Sequence, residues 1–188
     1  KAPILGRRLE QQGFMPDVVY VSPAARTQET AKILCYEIGF PVEDLSLQDS
    51  IYRASLKQLM LLLQDVEEDC EHLMLVGHNP ALSDLAQSLC GRKAGVPSHM
   101  STCSMVRIAF PIDYWALIEE GCADFIEYDT PENNNSLTKF LLNCKSIKFK
   151  YYNNQDLTKF KNENNLLIIS KKTKFNDFNI LYKRTSKL

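Results

Sequence analysis

Arg26 and His78 are the residues of this 188-residue chain whose type and setting could do chemistry. Val18-Val19-Tyr20-Val21 runs into Ser22-Pro23-Ala24-Ala25-Arg26, and Leu73-Met74-Leu75-Val76 runs into Gly77-His78-Asn79-Pro80. Each is a short apolar strand that ends abruptly and delivers one cationic or imidazole side chain where a helix-like stretch begins. In an open α/β sheet that place collects ligands. Backbone N–H groups and the dipole at a helix N-terminus favour an anion there, phosphate above all. The two turns therefore predict a phosphoryl site built on Arg26 and His78.

The elements that must position them follow from periodicity. Ile4, Leu5 and Leu9 form a helical stripe over 2–13, ended by Gly13. A strand is expected at 18–21, then a helix over 25–38 with Ala31, Ile33, Leu34 and Ile38 inward and Gly39 as its cap. Residues 42–47 read as an edge strand. Ser55 caps a helix over 56–68 with Leu56, Leu59, Met60 and Leu63 inward. Strand 73–76, a helix over 81–90 closed by Gly91, a loop over 92–101, and strands at 104–110 and 123–128 complete the series. Alternating strands and helices predict an α/β fold of three αβα layers around a mostly parallel sheet.

Composition divides the chain in two. Residues 1–131 hold 10 Lys and Arg against 19 Asp and Glu, whereas residues 132–188 hold 12 against 4. An acidic domain argues against nucleic acid as its partner. After Pro131 the tail carries 11 Asn and 11 Lys, and its one apolar run is Leu166–Ile169. It reads either as a disordered basic tail, free or bound to acidic surfaces, or as translated non-coding sequence, since A/T-rich codons encode these residues. The boundaries expected are a domain at 1–131 and a non-conforming tail at 132–188. The six cysteines contain no C-x-x-C pair, and with three histidines there is no zinc-like spacing, so no metal or other cofactor is expected. No signal peptide and no apolar run of the roughly 18 residues a membrane span needs are present. The expectation is a cytoplasmic monomer with no membrane partner, although a chain beginning at Lys1 leaves room for an N-terminal targeting signal ahead of it.

The run from Pro16 to Ala31 resembles the histidine phosphatase superfamily, and most of all its small phosphohistidine phosphatases of the SixA type. Ile51-Tyr52-Arg53-Ala54-Ser55, Val76-Gly77-His78-Asn79-Pro80 and a Trp115…Gly121…Phe125 region keep the family's order and spacing. The resemblance covers about 1–131 and none of the tail. It implies the phosphoglycerate-mutase-like fold and metal-free, two-step phosphoryl transfer. A histidine of an Arg-His-Gly motif attacks phosphorus, and water then releases phosphate. Arg26 matches the family's second arginine, whose planar guanidinium can hold two phosphoryl oxygens. His78 matches its second histidine, and an adjacent anion would favour the protonated ring. Ser22 and the backbone N–H of Asn79 are further candidate donors, and Thr30 supports the helix. The substrate implied is a phosphohistidine-bearing protein, with a small phosphate ester as the alternative. A catalytically inactive phosphoryl-binding or regulatory protein is the alternative from another class.

The Arg-His-Gly motif is missing. Of His72, His78 and His99, none precedes Arg26. In the family the nucleophile would lie before residue 1, and the opening residues resemble the middle of the family's first helix. The chain alone is therefore expected to be inactive, and the absence of a central strand is expected to leave its neighbours unpaired and the fold poorly stable. Asp49 is the candidate general acid in the stretch where larger members carry one. The nitrogen leaving group of phosphohistidine needs less help than an alkoxide, which favours a phosphoprotein. Bland readings hold elsewhere: His72 exposed, His99 without a role, Arg53 on the surface but within reach of a phosphoprotein, Trp115 in the core, Cys35 and Cys90 as small apolar fillers. Gly77-His78-Asn79 lacks the serine of a nucleophile elbow, which excludes an esterase of that kind.

Overall fold

A computed structural model describes residues 1–92, 95–133 and 164–171. Its elements are α1 (Ala2–Gln11), β1 (Val18–Val21), α2 (Ala25–Ile38), β2 (Ser46–Leu47), α3 (Leu56–Gln64), β3 (His72–His78), α4 (Ala81–Leu89), β4 (Met105–Phe110), β5 (Asp124–Asp129) and β6 (Asn164–Lys171). The strands form a six-stranded sheet in the order β2-β1-β3-β6-β4-β5. Among the described residues no helix is long and apolar enough to cross a membrane.

Local signals account for the helices. Leu5 and Leu9 put the apolar stripe of α1 in the core. Ala31, Leu34, Cys35 and Ile38 do the same for α2, which Gly39 closes in the left-handed conformation (φ 78°) that a side chain disfavours. Ser55 caps α3 through a reciprocal box: its Oγ accepts from Gln58 N–H, and Gln58 Oε1 accepts from Ser55 N–H. The helix expected to reach residue 68 ends at Gln64. Asp65, Glu67, Glu68 and Asp69 follow, and carboxylates oppose the negative end of a helix dipole. The turn also returns Val66 to the core.

The period of two along each strand divides the interior into two layers. Leu73, Leu75, Leu167, Ile169, Val106 and Ile108 face one core with Leu59 and Leu63 of α3, Leu82 and Leu85 of α4, and Trp115. Met74, Val76, Leu166, Ile168, Val19 and Val21 face the other with Leu5 and Leu9 of α1 and Leu34 and Ile38 of α2. The layering is αβα, as the sequence predicts. Trp115 is core, donating its indole N–H to Cys70 O at 2.8 Å. Burial pushes the thiols of Cys35 and Cys70 up to about 12, which keeps them protonated and unreactive.

Two expectations about the sheet are corrected. It is mixed rather than mostly parallel: β1 pairs in parallel with β2 and β3, and β4 with β6, but β3–β6 and β4–β5 are antiparallel. The neighbours expected to lie open are paired, because residues 164–171 of the tail enter the sheet between β3 and β4. Leu166–Ile169 is the buried centre of that strand, 2% exposed or less at every position. A run apolar on both faces is what a central strand requires. The segment 134–163 and residues 172–188, over which the tail reading also extends, lie outside the described residues. The edge strand expected at 42–47 shortens to β2, preceded by a 3₁₀ turn at Val42–Asp44.

A buried ion pair ties the first helix to the far edge. Arg8 of α1 donates through Nη1 to both carboxylate oxygens of Asp129 on β5, at 2.7 and 2.8 Å, and to Thr130 O. Its Nη2 donates to Asn133 O at 2.8 Å. Saturation of the carboxylate by a charged donor makes such burial tolerable.

Candidate functional site

Parallel register brings the two turns together. Val21 lies opposite Val76, and Ser22 N–H donates to Val76 O at 3.0 Å, so both strands end at one edge of the sheet. Ser22 follows β1 and is fully buried, His78 is the last residue of β3, and Arg26 is exposed in the first turn of α2. His78 Nε2 lies 2.8 Å from Ser22 Oγ, and His78 Nδ1 lies 3.0 Å from Arg26 Nη2. Residues 52 or more positions apart in sequence thus form one cluster.

Chemistry assigns the ring's proton. A guanidinium has donors and no acceptor, so Nδ1 must present its lone pair to Arg26. The proton of the neutral ring then sits on Nε2 and is donated to Ser22 Oγ. Burial, and after it the Arg26 charge, lower the His78 pKa from its ordinary value. The protonated ring expected beside a bound anion is therefore not the resting form. An anion seated on Arg26 would offset both causes and favour a second donor on His78.

The β1–α2 turn is fastened from within. The buried Thr27 hydroxyl lies 2.8 Å from Ser22 O and 2.7 Å from Ala24 O, and Gln28 Nε2 donates to Pro23 O at 2.7 Å. Thr30 Oγ1 donates to Arg26 O at 3.0 Å, one turn back along α2. Thr27 and Gln28 were not singled out in the sequence. The signal was there, since a threonine inside the first turn of a helix can bond back to the preceding carbonyls.

The β3–α4 turn is fastened differently. The Asn79 side-chain amide donates to Met100 O, and its Oδ1 accepts from Ser83 Oγ at 2.8 Å. Met100 N–H donates to the same serine oxygen at 3.0 Å, so the Asn79 side chain anchors the 95–101 loop. The peptide between Asn79 and Pro80 is cis. Gly77 precedes His78 where a Cβ would stand 3.1 Å from Ile51, so close packing sets the approach of β3 to the site.

The remaining candidates separate. Asp49 is exposed at the start of the 3₁₀ turn Asp49–Ile51, and its carboxylate bonds to none of Ser22, Arg26 and His78. His99 is exposed in its loop. His72 opens β3 at the other end of the strand, about 20 Å from His78 at 3.3 Å per residue. It is half-buried rather than exposed, with Nδ1 at 2.9 Å from Ser170 Oγ of β6 and its ring edge-on to Phe14. Two neighbours of His78 also stand out. The Tyr52 ring meets the imidazole edge-on with centroids 6.1 Å apart. Arg53 lines a cavity of about 280 Å³ together with His78 and Asn79. Among the described residues no group of three or more His, Cys, Asp or Glu is arranged to hold a metal ion. The chain matches no model of a known protein family, no curated protein and no solved structure.

Proposed function

We propose that this domain holds a phosphoryl group in the manner of the phosphohistidine phosphatases, with Arg26 and His78 as its oxygen ligands and a phosphohistidine-bearing protein as its substrate. The observation that carries the reading is the convergence of Arg26 and His78, from two strand-to-helix turns, to 3.0 Å. Fixed donors aimed at one place suit phosphoryl transfer, whose charge spreads over three equatorial oxygens. In that reaction the phosphoryl group leaves the substrate's nitrogen for an enzyme imidazole, and water then takes it as phosphate.

His78 fits the role of holder better than that of nucleophile. Attack requires a free ring lone pair, and the lone pair of Nδ1 is directed at Arg26. His72 is held at the other end of β3 by Ser170, and His99 is exposed in the loop that Asn79 anchors, so neither is part of the Ser22–Arg26–His78 cluster. This favours binding without turnover for the chain by itself, which is the phosphoryl-binding reading. The exposed, uninvolved Asp49 supports a nitrogen leaving group over the alkoxide of an ester, for which a phosphomonoesterase or mutase of the same superfamily would need an acid.

Calorimetric titration with inorganic phosphate tests the reading, with Arg26→Ala and His78→Ala as variants. Each lost charge-assisted hydrogen bond is worth about 1.5–3 kcal/mol, so each variant should weaken binding by about tenfold or more. Affinity unchanged in both variants sinks the proposal. Phosphohistidine peptide hydrolysis, followed by phosphorus NMR, should be undetectable. Turnover that His78→Ala abolishes would show that this chain supplies the nucleophile after all.

A further inference from the structure

We infer that Arg53 is a specificity residue which binds a second anionic group on the substrate, next to the phosphoryl group held by Arg26 and His78. The inference rests on the phosphoryl site proposed above.

The first observation is the turn that carries it. Ala54 N–H bonds to Ile51 O at 3.4 Å, Tyr52 has φ −73° and ψ 117°, and Arg53 has φ 55°. These are the features of a type II turn, whose third residue must adopt positive φ and is therefore usually glycine or asparagine. Here the position carries a long cation, although its Cβ is strained in the left-handed region. Residues held in sparsely populated backbone regions gather where function retains them.

The second observation is where the turn puts the guanidinium. Arg53 lies over the ring of Tyr52, 5.4 Å from its centroid, and that ring meets His78 edge-on. The side chain is exposed, and no carboxylate among the described residues pairs with it. Arg53, Ser55, His78 and Asn79 share the wall of the 280 Å³ cavity, with Asp84 as its one carboxylate among the described residues. The phosphoryl group on His78 would sit at one side of this space, and Arg53 offers a donor-only fork to whatever adjoins it. That neighbour is anionic: a carboxylate beside the phosphorylated side chain in a protein segment, or a second phosphate in a small ester.

The experiment compares the wild-type chain with Arg53→Gly and Arg53→Lys. The probes are inorganic phosphate, pyrophosphate, and two peptides in which a non-hydrolysable phosphohistidine analogue is followed by Glu or by Gln. Wild type should prefer pyrophosphate to phosphate, or the Glu peptide to the Gln peptide, by about tenfold, and which preference appears identifies the source of the second anion. Arg53→Gly should abolish that preference, leave phosphate affinity unchanged, and melt no lower than wild type, because glycine removes the strain. Arg53→Lys should keep part of the preference. If Arg53→Gly weakens phosphate as much as the larger probes, or if no probe depends on Arg53, the inference is overturned and the phosphoryl site stands. If wild type binds no phosphate, both fall together.

Discussion

Arg26 Nη2 stands 3.0 Å from His78 Nδ1, a cation against a ring that burial already keeps neutral. In the phosphoryl site proposed above, an anion beside Arg26 would let the ring take a proton. This coupling makes several outcomes measurable.

His78 should titrate below its ordinary value of 6.5 in the free protein. Arg26→Ala removes the second cause and should raise that midpoint. Sulfate, which stays a dianion across the range, should raise it further. By linkage, sulfate affinity should grow as pH falls towards the free-protein midpoint. Long-range nitrogen–proton NMR of the imidazole reads both the midpoint and the Nε2–H tautomer. A ring protonated on Nδ1 in the resting state would contradict the assignment.

The same shift has a sign in stability. With the folded pKa depressed, the unfolded chain binds more protons between the folded value and 6.5. The contribution of His78 is thus complete above about 6.5 and is lost as pH falls through the folded value. Urea midpoints of wild type and His78→Gln should converge over that window. A gap that stays constant with pH would mean that His78 does not titrate as described.

Thr27→Val keeps the shape of the side chain and removes the hydroxyl that lies 2.8 Å from Ser22 O and 2.7 Å from Ala24 O. Ala24 O keeps the Thr27 and Gln28 N–H donors, but taking the hydroxyl from the buried Ser22 carbonyl should cost about 1–3 kcal/mol in urea unfolding. Phosphate affinity should also fall, because the turn it fastens places both Ser22 and Arg26.

Ile168 is fully buried in β6, on the core face shared with α1 and α2. Ile168→Ala should cost about 2–5 kcal/mol, and Ile168→Asp should abolish cooperative thermal unfolding. Wild-type melting in the aspartate variant would show that β6 does not occupy the centre of the sheet in solution.

Arg8→Met should strand the Asp129 carboxylate at 8% exposure and cost about 3–5 kcal/mol. Arg8→Met with Asp129→Leu should recover much of the loss, since the buried charge goes with its partner. A double-mutant cycle by urea unfolding reads the coupling.

The sequence by itself determined the local units. An apolar run, a turn and a helical stripe are short-range patterns, so the two strand-to-helix turns bearing Arg26 and His78 were legible, as were the Gly39 end of α2 and the Ser55 cap. The tertiary structure decided which strands are neighbours, because pairing energy comes from residues far apart in the chain. Register between β1 and β3 is what sets Ser22 and Arg26 against His78, and burial, with the Arg26 charge after it, is what lowers the pKa of the ring. The strand at 164–171 was hidden in an Asn- and Lys-rich setting, where four apolar residues carry no helix or strand period of their own. Only the space between β3 and β4, apolar on both faces, gives Leu166–Ile169 a reason to be buried.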